Sequence, residues 1–167
     1  MIPASRQRNY FQSALYVIIV GVLAAVLLER LLTYAEAAEK AAMEATVSRL
    51  HAELYLRLAT HALRGEYDEM DALAAKSPFA ATEARASNYL GEFDGVPGDA
   101  EGGNWLYDRS RHELVYVPNL KRYLESGSDA GSASSIRFRV EVLRTSKDTY
   151  TGVALRPVVA FRWNPVP

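Results

Sequence analysis

The stretch FQSALYVIIVGVLAAVLL, residues 11–28, contains no charged side chain and passes directly into a helical pattern. A helix of this length extends about 27 Å at 1.5 Å per residue, close to the bilayer's hydrocarbon thickness of about 30 Å. Leu31 and Leu32 can lengthen the apolar segment further. The stretch therefore predicts a transmembrane helix over residues 11–32, near the amino terminus.

Two interpretations of this stretch are open, an uncleaved signal anchor and a cleaved signal peptide. The run is longer than the roughly 7–15 apolar residues of a signal peptide. The candidate cleavage sequence Ala-Glu-Ala-Ala, residues 35–38, lies inside a continuing helical pattern. Both observations favour the uncleaved anchor.

The charges on either side of the stretch predict its orientation. Arg6 and Arg8 precede it, whereas the residues that follow it are mainly acidic. The positive-inside rule then places residues 1–10 in the cytoplasm and residues 33–167 on the other side. For a bacterial inner membrane, that side is the periplasm.

Composition limits the classes of function. The 167 residues carry a formal net charge of −1, which is not the basic balance of a nucleic-acid-binding protein. The chain has no cysteine, so it tolerates an oxidising compartment but has no disulfide. Beyond the predicted span the first half is acidic and the second half basic. These halves can attract one another within a subunit or between neighbours.

The helical pattern continues well past the predicted span. Residues 31–64 contain neither proline nor glycine and are rich in strong helix formers, and Gly65 is suited to cap the carboxyl end. Apolar residues recur here at spacings of three and four, which defines one face that needs covering. The members of this stripe are Met43, Val47, Leu50, Leu54 and Leu58. A second, shorter helix is predicted over residues 66–75.

The second half of the chain changes to the alternation typical of β-strands. Residues 105–107 and 114–117 predict a hairpin, and residues 87–104 are expected to form a glycine-rich loop. Residues 126–135 are expected to form a flexible loop. The clearest half-buried strand alternates apolar and charged residues, and its apolar members are Ile136, Phe138, Val140 and Val142.

The end of the chain completes the predicted sheet. A turn is expected at residues 147–148, followed by a strand over 150–155. The final segment to Trp163 is expected to be an edge strand or a pair of short strands, because Pro157 disfavours an uninterrupted central strand. The predicted fold class is α+β, a long amino-terminal helix packed on a small antiparallel sheet of about four strands. The helix stripe and the face of Phe138 and Val140 are expected to cover each other.

This layout resembles that of type IV pilins and type II secretion pseudopilins. The sequence VGVLAAV at residues 20–26 is similar to the family's membrane segment, and the hairpin at 105–116 resembles those of bacterial pilin-like domains. The segment 153–163 is similar to accessory proteins of mannose-sensitive haemagglutinin type pili. The resemblance implies a pilin-like fold and a non-enzymatic role in a pilus or secretion system, among other pilin-like or assembly-platform proteins.

The amino terminus departs from the family's pattern. No glycine precedes Gly21, so the prepilin peptidase site is missing. The family's glutamate is missing: its position is taken by Gln12 when the sequences are aligned on Gly21, and by Leu15 when they are aligned on Phe11. The resemblance therefore implies an atypical, uncleaved member. Gly21 and Ala25, four residues apart, predict a helix contact in lipid, in which Gln12 can form hydrogen bonds.

One loop suggests metal chemistry. Oxygen ligands cluster in the glycine-rich region and could hold Ca²⁺, although their spacing is not that of an EF-hand; the candidates are Asp94, Asp99, Glu101, Asn104 and Asp108. A solvated acidic loop is the alternative. His51 and His61 lie about 15 Å apart on one helix, too far to share a metal. No hydrolase, phosphate-binding or dinucleotide motif is present, and no cofactor is predicted.

Two functions remain. The first is a non-enzymatic, membrane-anchored, pilin-like component that acts by helix packing in lipid and by protein contacts in the periplasm. The second is an anchored periplasmic domain that binds or senses a ligand. Stabilisation of the domain by a ligand would distinguish the second from the first.

Overall fold

The computed structural model describes residues 4–81, 86–126, 135–146 and 149–165. Most of the predicted loop over 126–135 and the predicted turn at 147–148 lie outside the described residues. The described part has an α+β fold, as predicted.

The amino-terminal part of the chain is one unbroken helix, α1, which runs from Ala4 to Arg64. Its 61 residues give a length of about 90 Å at 1.5 Å per residue. Gly65 ends it in the left-handed region, with φ 68°, a conformation that glycine adopts without steric cost. Two shorter helices follow, α2 over Tyr67–Ala75 and α3 over Pro78–Ala81.

In the part of the chain that the structure describes, seven strands form two sheets. Five of them make the main sheet, in the spatial order β1-β2-β3-β5-β6, and the remaining two, β4 and β7, pair with each other. In chain order they are β1 Tyr89–Phe93, β2 Asn104–Asp108, β3 Glu113–Val117, β4 Leu124–Ser126, β5 Ile136–Ser146, β6 Thr149–Pro157 and β7 Phe161–Trp163.

The predicted hairpin is confirmed. Strands β2 and β3 are antiparallel, with Trp105 opposite Tyr116 and Leu106 opposite Val115. Strand β5 joins β3 and β6 in antiparallel ladders, so the alternating segment forms an interior strand of the sheet. Strand β7 pairs with β4 rather than extending the main sheet.

The sequence expectations of a loop over residues 87–104 and of a sheet with about four strands are wrong, since the main sheet of the described residues has five strands. The segment 87–104 contains strand β1, which pairs in parallel with β2 and has a register irregularity between Tyr89 and Glu92. The sheet is therefore mostly, not wholly, antiparallel. Strand β1 was missed because its side chains alternate only between half-buried and exposed, and because Gly91, with φ 114°, interrupts the apolar pattern.

The predicted packing of helix on sheet is confirmed residue by residue. Met43 and Leu50 belong to a core cluster with Phe138 and the aromatic residues of β2 and β3, and Val47 packs at its edge. Leu54 and Leu58 belong to a second cluster, with Val140, Val153 and two residues of α2. The stripe therefore holds α1 across β3, β5 and β6.

The opposite charges of the two halves meet within one chain. Asp71 of α2 forms an ion pair with Arg144 of β5, and Asp94 forms one with Arg109, 2.9 Å away. Of the two arrangements left open by the sequence, these contacts show attraction within a subunit.

Candidate functional site: the open helix surface and its link to the sheet

The segment of α1 from Gln12 to Leu32 packs against no other described element. From Gln12 to Leu32 every described residue is exposed, and large apolar side chains such as Val17 are 71% accessible. This part of α1 is long and apolar enough to cross a membrane, and none of its most apolar 18-residue window is buried. An apolar surface on all sides of a helix is typical of a segment that lies in lipid.

The predicted contact residues lie within this uncovered part. Gln12, Gly21 and Ala25 are all exposed, and a side-chain carbon built on Gly21 would meet no atom within 4 Å. The structure does not bring these three residues to any other described element. They are therefore free for a contact with another helix, and the predicted role of Gly21 and Ala25 stays a prediction.

Directly after this segment, α1 carries a buried carboxylate, Glu36. Its side chain is only 2% exposed, and its Oε1 accepts hydrogen bonds from Trp163 Nε1 at 2.8 Å and from the backbone nitrogen of Tyr123 at 3.0 Å. A buried carboxylate is costly unless its oxygens are hydrogen-bonded. Glu36 meets this need by joining the helix to β7 and to the residue that precedes β4.

One turn further along, Glu39 binds the segment that follows β3. Its carboxylate accepts hydrogen bonds from Tyr116 Oη at 2.9 Å and from the backbone nitrogens of Asn119 and Leu120 at 2.6 Å and 3.0 Å. Burial, reinforced by the hydrogen bond to Glu39, raises the pKa of the Tyr116 phenol. The phenol therefore stays protonated and donates to the carboxylate.

A third contact is exposed and closer to the apolar segment. Arg122 Nη2 lies 3.3 Å from Glu29 Oε1, and both side chains are more than half exposed. Together, Glu29, Glu36 and Glu39 join one side of α1 to residues 116–123 and to Trp163. The folded domain is thus held to the helix at the end of the predicted span, with Glu29 inside residues 11–32 and Glu36 and Glu39 beyond them.

Sequence reasoning missed the roles of Glu36 and Glu39. It used their charge only to orient the span. The available signal was their spacing, because Glu36 and Glu39 precede Met43 by seven and four residues and so share its helix face. A carboxylate in line with a buried stripe indicates a partner on the covering sheet.

The acidic loop does not assemble the predicted calcium site. Asp94 is paired with Arg109, while the buried Asp108 Oδ1 accepts hydrogen bonds from Ser110 and from the backbone nitrogen of Gly95. Asp99 and Glu101 are exposed, and the side-chain amide of Asn104 donates to nearby backbone oxygens. Across the described ranges, no three acidic, histidine or cysteine side chains are grouped to hold a metal.

Asp108 has a structural explanation instead. Burial alone raises the pKa of its carboxyl, but hydrogen bonds from Ser110 and from the backbone nitrogens of Gly95, Ser110 and Arg111 outweigh that effect. The pKa of Asp108 therefore lies below its usual range, and the ionised side chain organises the turn after β2.

Each of the three histidines makes a separate contact. His51 Nε2 donates to the carbonyl oxygen of Val153 at 2.8 Å, and His61 Nδ1 lies 2.7 Å from Glu66 Oε2. His112 has a left-handed backbone, with φ 54°, in the β2-β3 turn. Its ring lies 3.4 Å from Tyr107 Oη. These contacts fix α1, its carboxyl end and the hairpin turn rather than a shared site.

The hairpin turn also borders a shallow cleft of about 300 Å³, between the α2-α3 connection and the sheet. Its polar lining includes Ser77, Glu92, Tyr107, Arg109 and His112. The charge of Arg109 is already balanced by Asp94, with which it makes two hydrogen bonds. The cleft is therefore polar, but Arg109 does not give it an unpaired positive charge.

Comparison with known proteins adds no relative to these observations. No protein-family model, no curated protein and no solved structure matches the chain. The features that bear on function are the uncovered apolar segment of α1 and the carboxylate contacts that join it to the domain.

Proposed function

We propose that this chain is a non-enzymatic, single-pass inner-membrane protein of pilin-like architecture that serves a type IV pilus or a type II secretion system. The observation that carries the proposal is the continuity of α1 from Ala4 to Arg64. Its first part is apolar and uncovered, whereas its last part is packed on a sheet. Pilin-like proteins share this division of one helix between lipid and domain.

In this proposal, residues 11–32 lie in the bilayer and pack laterally against helices of other pilin-like subunits. Small residues such as Gly21 and Ala25 allow close approach of two helices, and interhelical hydrogen bonds from a residue such as Gln12 add to the contact. Lipid itself gives no hydrophobic preference for one helix partner over another. Selectivity then depends on the small residues and on Gln12.

The carboxylate contacts support a mechanical link between membrane and periplasm. Glu36 and Glu39 hold residues 116–123 against α1 just beyond the span. A helix that is displaced or rotated in the bilayer would therefore carry the domain with it. A component of a pilus or secretion machine could use such a link to pass a helix contact to its periplasmic partners.

The proposal places the amino terminus in the cytoplasm and the domain in the periplasm, with the chain retained uncleaved. The arginines before the span support the orientation. The apolar run over residues 11–28, longer than the roughly 7–15 apolar residues of a signal peptide, supports an uncleaved anchor. The intact mass of the chain from purified membranes tests retention, since a cleaved form would lack the amino-terminal residues.

The helix contact is tested by the substitution Gly21→Leu in the full chain. The added side chain blocks close approach, so co-purification with other pilin-like subunits from solubilised membranes should fall at least severalfold. The matched control is Val22→Leu, an equally exposed neighbour on a different helix face, whose co-purification should be unchanged. Unchanged co-purification of Gly21→Leu, or equal loss in both variants, would contradict the proposal.

A further inference from the structure

The outward side of α1 carries a second apolar face, separate from the stripe that packs on the sheet. Between Ala38 and Leu63, the positions that are alternately four and three residues apart are all apolar except Arg49. When the same alternating spacing is continued toward the amino terminus, from Ala38 to Ala14, every position is alanine, glycine, valine or leucine. We call these positions, from Ala14 to Leu63, the heptad seam.

The heptad seam lies opposite the sheet. Ala52, for example, follows the buried Leu50 by two residues, which is about 200° around the helix axis. Every seam residue between Ala35 and Leu63 is exposed. The two leucines at the far end are the most open, with Leu56 at 67% and Leu63 at 91% of full accessibility.

Lipid cannot cover this far end. Leu63 lies about 45 Å along the helix from Leu32, the last residue of the predicted span, at 1.5 Å per residue. Tyr55, next to Leu56, is also 56% exposed. Large apolar side chains that line one helix face in water indicate a protein partner.

The repeat length identifies the kind of partner. A helix lying on a sheet needs only the 3.6-residue period of its own turns, whereas a strict seven-residue repeat keeps one face against a second helix. We propose that the heptad seam binds the same seam of a second copy of this chain, in a parallel two-stranded coiled coil, so that a second copy is one of the subunits that Gly21 contacts in lipid. The many alanines allow the two helices to approach closely, both in lipid and in water.

Membrane anchoring favours the parallel arrangement, so this inference rests on the anchoring proposed above. Two copies that enter the same bilayer from the same side have parallel helices at equal depth. Equivalent residues then face each other, so alanine or glycine meets its own copy at most positions of the seam. Leu56 and Leu63 would meet their own copies and become buried.

The charges beside the seam also suit a second copy. Coiled coils that select a different partner commonly carry opposite charges on the two flanks of the seam. Here one flank is uncharged and consists of Ala41, Ser48, Tyr55 and Ala62. On the other flank, from Thr46 to Thr60, the one charged residue is Glu53. No row of like charges would oppose the pairing of two identical helices.

Arg49 is the single polar residue in the seam. Its Nε donates to Glu53 Oε1 at 3.1 Å within the same helix, which partly balances its charge. Ala45, Ser48 and Ala52 surround it with small side chains, so there is room for an arginine from each copy. A single polar residue at such a position lowers stability but fixes the register of the pair.

The absence of cysteine from the chain allows a direct test. Single-cysteine variants of the full chain are made at one seam row, Ala38→Cys, Ala45→Cys, Ala52→Cys and Ala59→Cys, and oxidised in membranes. In a parallel pair each cysteine meets its own copy, so all four should form disulfide-linked dimers. The controls Glu44→Cys and Arg57→Cys, exposed on other faces, should give at least fivefold less dimer.

Further substitutions confirm that the seam causes the crosslink. Adding Leu56→Asp and Leu63→Asp to the Ala52→Cys variant should lower its dimer yield at least fivefold without changing the melting temperature, because both leucines are exposed. Leu90→Asp, an exposed leucine on β1, should leave the yield unchanged. Arg49→Leu should raise the yield.

The outcomes separate this inference from the proposed function. Equal crosslinking at seam and control positions, or a dimer yield insensitive to the aspartates, would overturn the coiled coil. A crosslinked product whose mass is not twice that of the chain would assign the seam to another protein and overturn it as well. A chain in the membrane fraction without dimers contradicts only this inference, whereas a chain missing from that fraction contradicts the anchoring.

Discussion

Two apolar parts of the same helix have opposite surroundings. Between Gln12 and Leu32 the apolar side chains are exposed on every side, whereas the stripe from Met43 to Leu58 is almost completely buried, with Leu54 at 0% exposure. Helix propensity is similar in both parts, so it explains the length of α1 but not this difference. The arrangement of apolar residues around the axis determines what covers each part.

The largest expected effect comes from the same truncation in each part. Leu54→Ala should lower the free energy of unfolding of the domain by about 2–5 kcal/mol, because it leaves a cavity under the sheet. Leu23→Ala, at a residue 64% exposed in the apolar segment, should change it by less than about 0.5 kcal/mol.

The measurement is urea unfolding of the full chain in detergent, followed by the fluorescence of Trp105 and Trp163, both of which lie in the core. If Leu23→Ala were as destabilising as Leu54→Ala, the apolar segment would belong to the domain core and the contrast between the two parts would fail.

The next effect is a loss of stability at high pH that is specific to the covered part. Burial, with the negative charge of Glu92, raises the pKa of Tyr107 to about 12. The unfolded chain releases this proton from about pH 10, so folding stability is complete below pH 10 and falls between pH 10 and 12, at up to about 1.4 kcal/mol per pH unit.

This dependence is measured as the change in urea midpoint between pH 9 and pH 12. Tyr107→Phe should reduce the slope, because the variant has no phenol to titrate at this position. A slope that is the same in the variant would show that Tyr107 does not cause the loss.

A smaller effect tests the junction between the two parts. Glu36→Ala removes the acceptor of Trp163 Nε1 and of the Tyr123 backbone nitrogen, and should cost about 1–3 kcal/mol of folding stability. The matched control is Glu44→Ala on the same helix. Its carboxylate is 58% exposed and pairs only with Lys40 at 3.7 Å, so the cost should stay below about 0.5 kcal/mol.

A double-mutant cycle sharpens this result. Trp163→Phe removes the indole donor, so Glu36→Ala should cost less in that background than in the wild type. Equal costs in both backgrounds would mean that the hydrogen bond between Glu36 and Trp163 does not contribute to the stability of the junction.

Local patterns were sufficient to predict much of this fold. The spacing of Met43, Leu50 and Leu54 predicted the covered face, and the alternation around Phe138 and Val140 predicted the strand beneath it. Each pattern depends only on the period of its own element, three to four residues for a helix and two for a strand. The two faces could be paired because each needed a cover.

The missed features depend on residues distant in the sequence. Strand β1 exists because it pairs with β2, and half-buried residues interrupted by Gly91 do not indicate a strand by themselves. Likewise, Glu36 resembles an ordinary surface carboxylate until Trp163 is placed beside it. The heptad seam is readable from the sequence, but its exposure is known only once the sheet is placed on the other side.

The hydrogen bond between Glu36 and Trp163 also determines when the domain can finish folding during synthesis. The two residues are 127 positions apart, so at about 5–20 residues per second roughly 6–25 s separate their emergence from the ribosome. During that interval the apolar stripe of α1 has no sheet to cover it, while the preceding segment, which is long and apolar enough to cross a membrane, has already emerged. Under the proposed function, insertion can therefore precede folding, and the nascent helix needs protection from aggregation until the last strand is made.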